Sequence, residues 1–165
     1  MTYELNFHLI DDVITHLDGA VATADPFTAS RYVGFYSVSA ATVIELSVKN
    51  IIVSFAKSNH PVFGGYVSSK YEKLNAKVSL ADLDGHIAPF GKIYRERFKK
   101  LLDRVERINL KKSRSSLKSS YGNLLSCRHQ FAHEGVVPSN STYAEVKRGF
   151  EAGKVVLACL QKSLT

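Results

Sequence analysis

At 165 residues with 45% hydrophobic side chains, the chain is long enough for one domain with a real core and too short to expect two, so a single domain over 1–165 is expected. No apolar run approaches the roughly 20 residues that cross a bilayer, the opening Met1-Thr2-Tyr3-Glu4-Leu5-Asn6 has no export signal, and Cys127 and Cys159 are too few for a disulfide framework; a soluble, cytoplasmic protein with both sulfurs as thiols is expected. Net charge is +7 but unevenly spread: residues 1–30 carry five acids (Glu4, Asp11, Asp12, Asp18, Asp25) and no Lys or Arg, whereas residues 92–118 hold eleven Lys or Arg against Glu96, Asp103 and Glu106.

From the N-terminus, Leu5, Leu9, Val13 and Leu17 recur at helical spacing with Ile10 and Ile14 beside them, which predicts an amphipathic first helix. Asp25 as N-cap and Pro26 at the first helical position start a long second helix expected to reach about Ser58. Its stretch from Val38 to Val48 is apolar nearly all round, as suits the central member of a bundle, and Glu45 is its only acid. His60-Pro61-Val62-Phe63-Gly64-Gly65 reads as a loop by composition, followed by a shorter helix over 67–76 and an irregular link through Asp84, Gly85 and Pro89. Ile93, Phe98, Leu101, Leu102, Val105 and Ile108 give a fourth helix, the basic one, and a fifth follows from about Ser115. The last opens at Thr142, which forms a capping box with Glu145, and continues through Val155, Val156, Leu157 and Leu160. No segment alternates with period two over a strand's length, so the expected fold is all-α, a bundle of five to six helices with short connections.

The basic segment is an electrostatic footprint for a polyanion such as RNA, with Lys111, Lys112, Arg114 and Lys118 as the candidate contacts. The bland alternative is a solvated helix face. Position favours RNA, because this segment leads directly into the helix that ends Leu124-Leu125-Ser126-Cys127-Arg128-His129-Gln130-Phe131-Ala132-His133-Glu134-Gly135. With Arg128 at zero and about 100° per residue, His129 falls at about 100° and His133 at about 140°, whereas Leu124, Phe131 and Leu117 gather between about 300° and 340°. The core face and the Arg/His face are therefore separate. A guanidinium is a permanently charged fork suited to phosphate oxygens, and imidazole gives or takes a proton near neutral pH. Together they suit phosphoryl-transfer chemistry on RNA. Each residue also has a structural reading: His133 can simply complement the helix dipole, and Arg128 can pair with an acid.

Arg128, the polar residue after it, the spacing of four residues from His129 to Ala132 before His133, and the helix stop at Glu134-Gly135 resemble the Arg-x4-x6-His signature of the HEPN (higher eukaryotes and prokaryotes nucleotide-binding) superfamily. The Leu-Leu-x-x-Arg-His-x-x-Ala-His-x-Gly stretch and the long early helix with Glu45 are most similar to its RiboL-PSP type, found in toxin and antiphage systems. The resemblance implies a HEPN-like bundle and a metal-independent endoribonuclease that leaves 2',3'-cyclic phosphate and 5'-hydroxyl ends. On this chain His133 would be the general acid or base, Arg128 would stabilise the phosphorane and His129 would orient or assist. It further implies a symmetric homodimer with a composite active site, and an antitoxin or defence-system partner protein. Glu45 has two readings: an i,i+4 ion pair with Lys49, or a reach across the bundle to Arg128, which the resemblance favours.

In HEPN toxins silenced by a nucleotidyltransferase, a tyrosine two residues after the motif histidine receives the nucleotide. Here that position is Gly135, and no tyrosine occurs after it until Tyr143. The chain has no Walker loop, GxGxxG, HExxH, paired Cys ligands or Gly-x-Ser-x-Gly elbow, and His8, His16, His60 and His86 have no ligand spacing, so no metal and no cofactor are expected. The rival function is a HEPN-like module that binds RNA or a nucleotide, or mediates assembly, without cutting. A third reading is an unrelated bundle with a coincidental motif.

Overall fold

Asp25 starts the longest element of the fold by accepting hydrogen bonds on its carboxylate from the Phe27 and Thr28 amides, with Pro26 beginning the helix proper. The structure, a computed structural model, describes residues 5–72 and 77–165. Among these residues there are seven α-helices and no strand: α1 (His8–Val21), α2 (Pro26–Asn59), α3 (Pro61–Tyr71), α4 (Leu80–Ile87), α5 (Lys92–Ser113), α6 (Leu117–Glu134) and α7 (Tyr143–Ser163), with a 3-10 turn at Ala88–Phe90.

The all-α expectation holds, but the expected five to six helices become seven. The difference lies in the stretch between α2 and α5. The segment 60–65, expected as a loop, is instead the start of α3, with the His60 ring accepting from the Val62 amide as N-cap. Gly64 serves a close approach, not a turn: a Cβ there would lie 2.4 Å from Lys57 Cγ, so α3 folds back tightly on the end of α2. The helix expected over 67–76 ends at Tyr71 as far as the described residues go, and residues 73–76 lie outside them. The link expected to be irregular contains α4, whose Ser79 and Asp82 form a complete capping box.

As expected from its composition, α2 is the central member. Ala40, Ala41, Ile44, Val48, Ile51, Ile52 and Ala56 are all buried along it, and α1, α3, α6 and α7 pack around it. By length and composition alone α2 is able to cross a membrane, with an 18-residue window of mean hydropathy 1.5, half of it buried. Core helices of water-soluble bundles share that composition. Here its apolar side chains meet those of Leu124 and Tyr121 on α6 and of Phe150, Val156 and Leu160 on α7 in one continuous core. Thr142 caps α7 in the expected box with Glu145.

Candidate functional site

The helix that carries Arg128 and the two histidines, α6, is fixed at both ends. At its start Ser116 is the N-cap, accepting from the Ser119 amide. Glu106 on α5 accepts from the Ser116 hydroxyl at 2.6 Å and from the Lys118 amide at 3.1 Å, which ties this end to α5. At its end Gly135 takes the left-handed conformation (φ 67°), and its N–H returns to the Phe131 carbonyl. The Gly135 carbonyl in turn accepts from Arg31 of α2, whose guanidinium lies 4.9 Å from the Phe27 ring centroid.

Between these ends Leu117, Tyr121, Leu124 and Cys127 face the core. The Tyr121 hydroxyl donates to the Val78 carbonyl, and Phe131 lies flat against α2 at Gly34, where a Cβ would meet its ring at 2.2 Å. With that face committed, Arg128 is half-buried at the α2–α6 boundary, and His129 and His133 are exposed.

Arg128 Nη2 approaches Glu45 Oε1 at 3.5 Å, the two side chains being 23% and 19% exposed. The reach across the bundle is therefore made. At this length it is a charge pairing rather than a tight bidentate fork, and it leaves guanidinium donors for a further anion. Arg128, Glu45 and His129 line one cleft of about 150 Å³, together with Ala41, Leu125, Val78 and Ser79. His133 lies outside that lining but is coupled to it: its ring centroid is 4.6 Å from that of His129, tilted by 52°. The structure thus brings Arg128, His129 and Glu45 together and sets His133 one helical turn further along, exposed and against the His129 ring.

The basic candidates are more dispersed. Lys111 and Lys112 are exposed in the last turn of α5, and Arg114 is its exposed left-handed C-cap (φ 55°). Lys118 is half-buried and bound to Asp103 at 2.6 Å. Further back in the basic segment, Arg95 and Lys99 both pair with Asp84, which holds the Asp84 carboxyl below the ordinary range chiefly through the Arg95 hydrogen bonds. From Lys118 to Arg128 the helix rises about 15 Å, so this tip and the cleft are separated by a few nucleotides' reach rather than adjoining.

Ser79 and Arg31 are residues of this site that sequence reasoning missed. Ser79 had a signal, the Ser-x-x-Asp cap of α4 that brings it to the cleft mouth. Arg31 had none, since its contact with Gly135 joins positions 104 apart. Cys127, next to Arg128 in sequence, points the other way. Its thiol is buried and pushed up by desolvation, which makes it a poor nucleophile. Both cysteines are free. Among the described residues, no group of three or more His, Cys, Asp or Glu is arranged to hold a metal ion.

The arrangement can hold a phosphate against a fixed guanidinium with two imidazoles at hand. No curated protein and no solved structure matches the chain. The family model described as RiboL-PSP-HEPN matches residues 4–165, nearly the whole chain and the whole described bundle. By this match, and with the Arg128–His133 stretch placed on the outer face of a helical bundle, the chain belongs to the RiboL-PSP-HEPN family.

Proposed function

We propose that the protein is a metal-independent endoribonuclease whose reacting phosphate sits at the Arg128–His129–His133 face of α6. The observation that carries this is the Arg128 guanidinium anchored by Glu45 in an open cleft, with the paired imidazoles of His129 and His133 beside it. Family membership supports it, since HEPN proteins include ribonucleases.

In the reaction the RNA 2'-hydroxyl gives its proton to a base as its oxygen bonds to the neighbouring phosphorus. The phosphorus–O5' bond breaks as that oxygen takes a proton from an acid. The products are a 2',3'-cyclic phosphate and a 5'-hydroxyl. His133 is the general acid or base, free in solvent to meet the sugar, and His129 orients it through their ring contact. Arg128 binds the non-bridging oxygens, where negative charge accumulates in the phosphorane. A single chain offers few proton carriers, so a second copy with its own Arg128 and His133 facing the same phosphate is the natural complement, in a symmetric homodimer. The exposed charge of Lys111, Lys112 and Arg114 draws in the RNA backbone, with Lys118 beside them. The similarity to RiboL-PSP domains of toxin and antiphage systems supports a role as a growth-arresting effector governed by an antitoxin or defence-system partner.

One observation favours a second reading, a non-cutting RNA- or nucleotide-binding module: within one chain His133 does not line the Arg128–Glu45 cleft. The deciding experiment is cleavage of total cellular RNA in EDTA by the wild type beside His133→Ala, with new ends assayed for cyclic phosphate. Cutting by the wild type alone, with cyclic phosphate ends, supports the nuclease. Equal RNA binding by both proteins with no cutting by either, in the presence of cell extract to supply any activating partner, overturns it.

A further inference from the structure

Round the motif helix from Glu45, α6, the loop after it and the start of α7 enclose a second cavity, of about 330 Å³. Its polar wall is Asn123, Ser126, Gln130, Asn140, Ser141 and Glu145, and the buried side chains of Leu124 and Val146 give it an apolar inner side. It adjoins the histidines by helix geometry. At about 100° per residue Ser126 stands about 20° and Gln130 about 60° from His133, on the side away from Arg128. Gln130 and His133, at i and i+3, are surface neighbours.

The chemistry of the wall is unlike that of the Arg128 cleft. No Lys or Arg lines it, so it is not built for a bare phosphate. Asn123, Gln130 and Asn140 each offer amide donors and an acceptor. Among the described residues none of these amides, nor the Ser126 hydroxyl, is used in a hydrogen bond within the chain. Glu145 is held in place because its Oε2 accepts from the Thr142 amide at 2.8 Å and from the Thr142 hydroxyl at 3.0 Å, and both bonds end on that one oxygen. A neutral ring carrying donors and acceptors on its edge and an apolar face matches such a wall. The volume is at the small end for ligand sites and suits one such ring.

We propose that this cavity is a nucleobase subsite of the RNA site, receiving the base of a nucleotide that flanks the scissile phosphate and preferring bases with an exocyclic amino group over uracil. The inference rests on the ribonuclease reading for its role, though not for its ligand. Amide side chains read adenine through its amino group and ring nitrogen, and a carboxylate accepts from the amino group of cytosine. Uracil carries no amino group: its ring N–H can meet the Glu145 carboxylate, but the two carbonyls beside it meet only the donors of the wall, so it pairs with fewer of the mixed amide and carboxylate groups than an amino-bearing edge does.

The test has two arms on the full chain, wild type beside Gln130→Leu and Asn123→Leu, each confirmed as folded by helical circular dichroism. In the first, adenosine, cytidine, guanosine and uridine are titrated while the side-chain amide signals of Asn123, Gln130 and Asn140 are followed by NMR. Amino-bearing nucleosides are expected to shift these signals and to bind about tenfold more tightly than uridine, with the shifts lost in Gln130→Leu. In the second, cleavage positions on a mixed-sequence RNA are mapped, and the wild type is expected to show a base preference that both variants relax. Adenosine binding without any cleavage sustains the subsite while the nuclease reading fails. Cleavage with no base preference in any of the proteins, or no shift of the amide signals by any nucleoside, overturns the subsite while the nuclease reading stands.

Discussion

Arg128 on α6 and Glu45 in the middle of α2 stand 3.5 Å apart, although 83 positions separate them in sequence. Glu45 is the only acid on a helix otherwise given to the core, and Arg128 is the half-buried charge it meets. The pair therefore does more than neutralise: it aims the guanidinium along the α2–α6 boundary. Glu45→Gln keeps the shape and removes the charge that holds Arg128. Its expected effect is a fall in RNA cleavage of roughly tenfold to a hundredfold, seen mainly in kcat, because a slightly misplaced cation serves the transition state poorly. Stability should change by no more than about 1 kcal/mol, the scale for a partly exposed ion pair. Steady-state kinetics and a urea titration of the same variant separate the two; a large loss of stability with unaltered kcat would refute the aiming role.

Gly34 lies under the motif helix. A Cβ at this position would come within 2.2 Å of Phe131 Cδ2, and the Phe131 ring is already against Phe35 at a centroid distance of 5.8 Å. Gly34→Ala must displace Phe131 and with it the last turns of α6. An overpacking cost of about 1–3 kcal/mol is expected in chemical denaturation, with part of it recovered when Phe131→Leu is added in the same chain. Simple additivity of the two changes would contradict the contact.

How much of this was legible depended on whether the signal was local. Asp25-Pro26 and Thr142 with Glu145 announced the starts of α2 and α7, because a cap is a hydrogen bond between near neighbours. Ser79 and Asp82 form the same device, yet α4 escaped: it has eight residues, with Gly85 among them, too few turns for apolar periodicity to show. Gly64 misled in the opposite direction, since a glycine needed for contact with Lys57 looks in sequence like one needed for a turn. In the site, the split between the Leu124 face and the Arg128 face followed from helix angles alone. Glu45 stood out because a lone carboxylate in an apolar helix requires a partner. That His129 lies nearer Arg128 than His133 also follows from the helix angles, whereas the closing of the cleft by Val78 and Ser79, just ahead of α4, joins positions far apart in sequence and no spacing within α6 encodes it.

Cys127 and Cys159 are both buried, and burial pushes each thiol above its ordinary range. Neither presents a thiolate at neutral pH. The native protein is expected to resist iodoacetamide at pH 7.5 over hours and to take up two labels promptly in 6 M guanidinium, with intact-mass spectrometry as the readout. Fast native labelling of Cys127 would mean that the core face of α6 opens.

Acid should weaken the protein through a defined set of carboxylates near its surface. Asp84 is held down by the Arg95 hydrogen bonds, Asp18 by Lys147, Asp25 by the Thr28 hydroxyl and Glu145 by the Thr142 amide. Each titrates lower when folded than in the unfolded chain, where carboxyl groups lie near about 4. The unfolded state then binds the protons more readily, so the stabilisation is fully present above the unfolded values and is lost as pH falls through about 4 towards the folded ones. Tm should fall modestly below about pH 4, since these interactions lie near the surface, and Asp84→Asn should shallow that fall. An unchanged slope in Asp84→Asn would remove Asp84 from the set.

Arg114 is the only non-glycine residue at positive φ among the described residues, at 55°, closing α5 in the left-handed conformation that glycine adopts at no cost. An arginine in this conformation accepts backbone strain, and its side chain is exposed beside Lys111 and Lys112, where the proposed function places an RNA contact. Arg114→Gly should therefore act in opposite directions on two properties. Stability should rise by roughly 0.5–1 kcal/mol as the strain is relieved. RNA affinity should drop, and the slope of log affinity against log salt should shrink by about 1, the signature of one lost phosphate contact. Urea denaturation and filter binding across salt concentrations read the two effects independently. Gained stability with an unchanged salt slope would move the RNA path away from the α5–α6 turn and leave Arg114 as a helix cap alone.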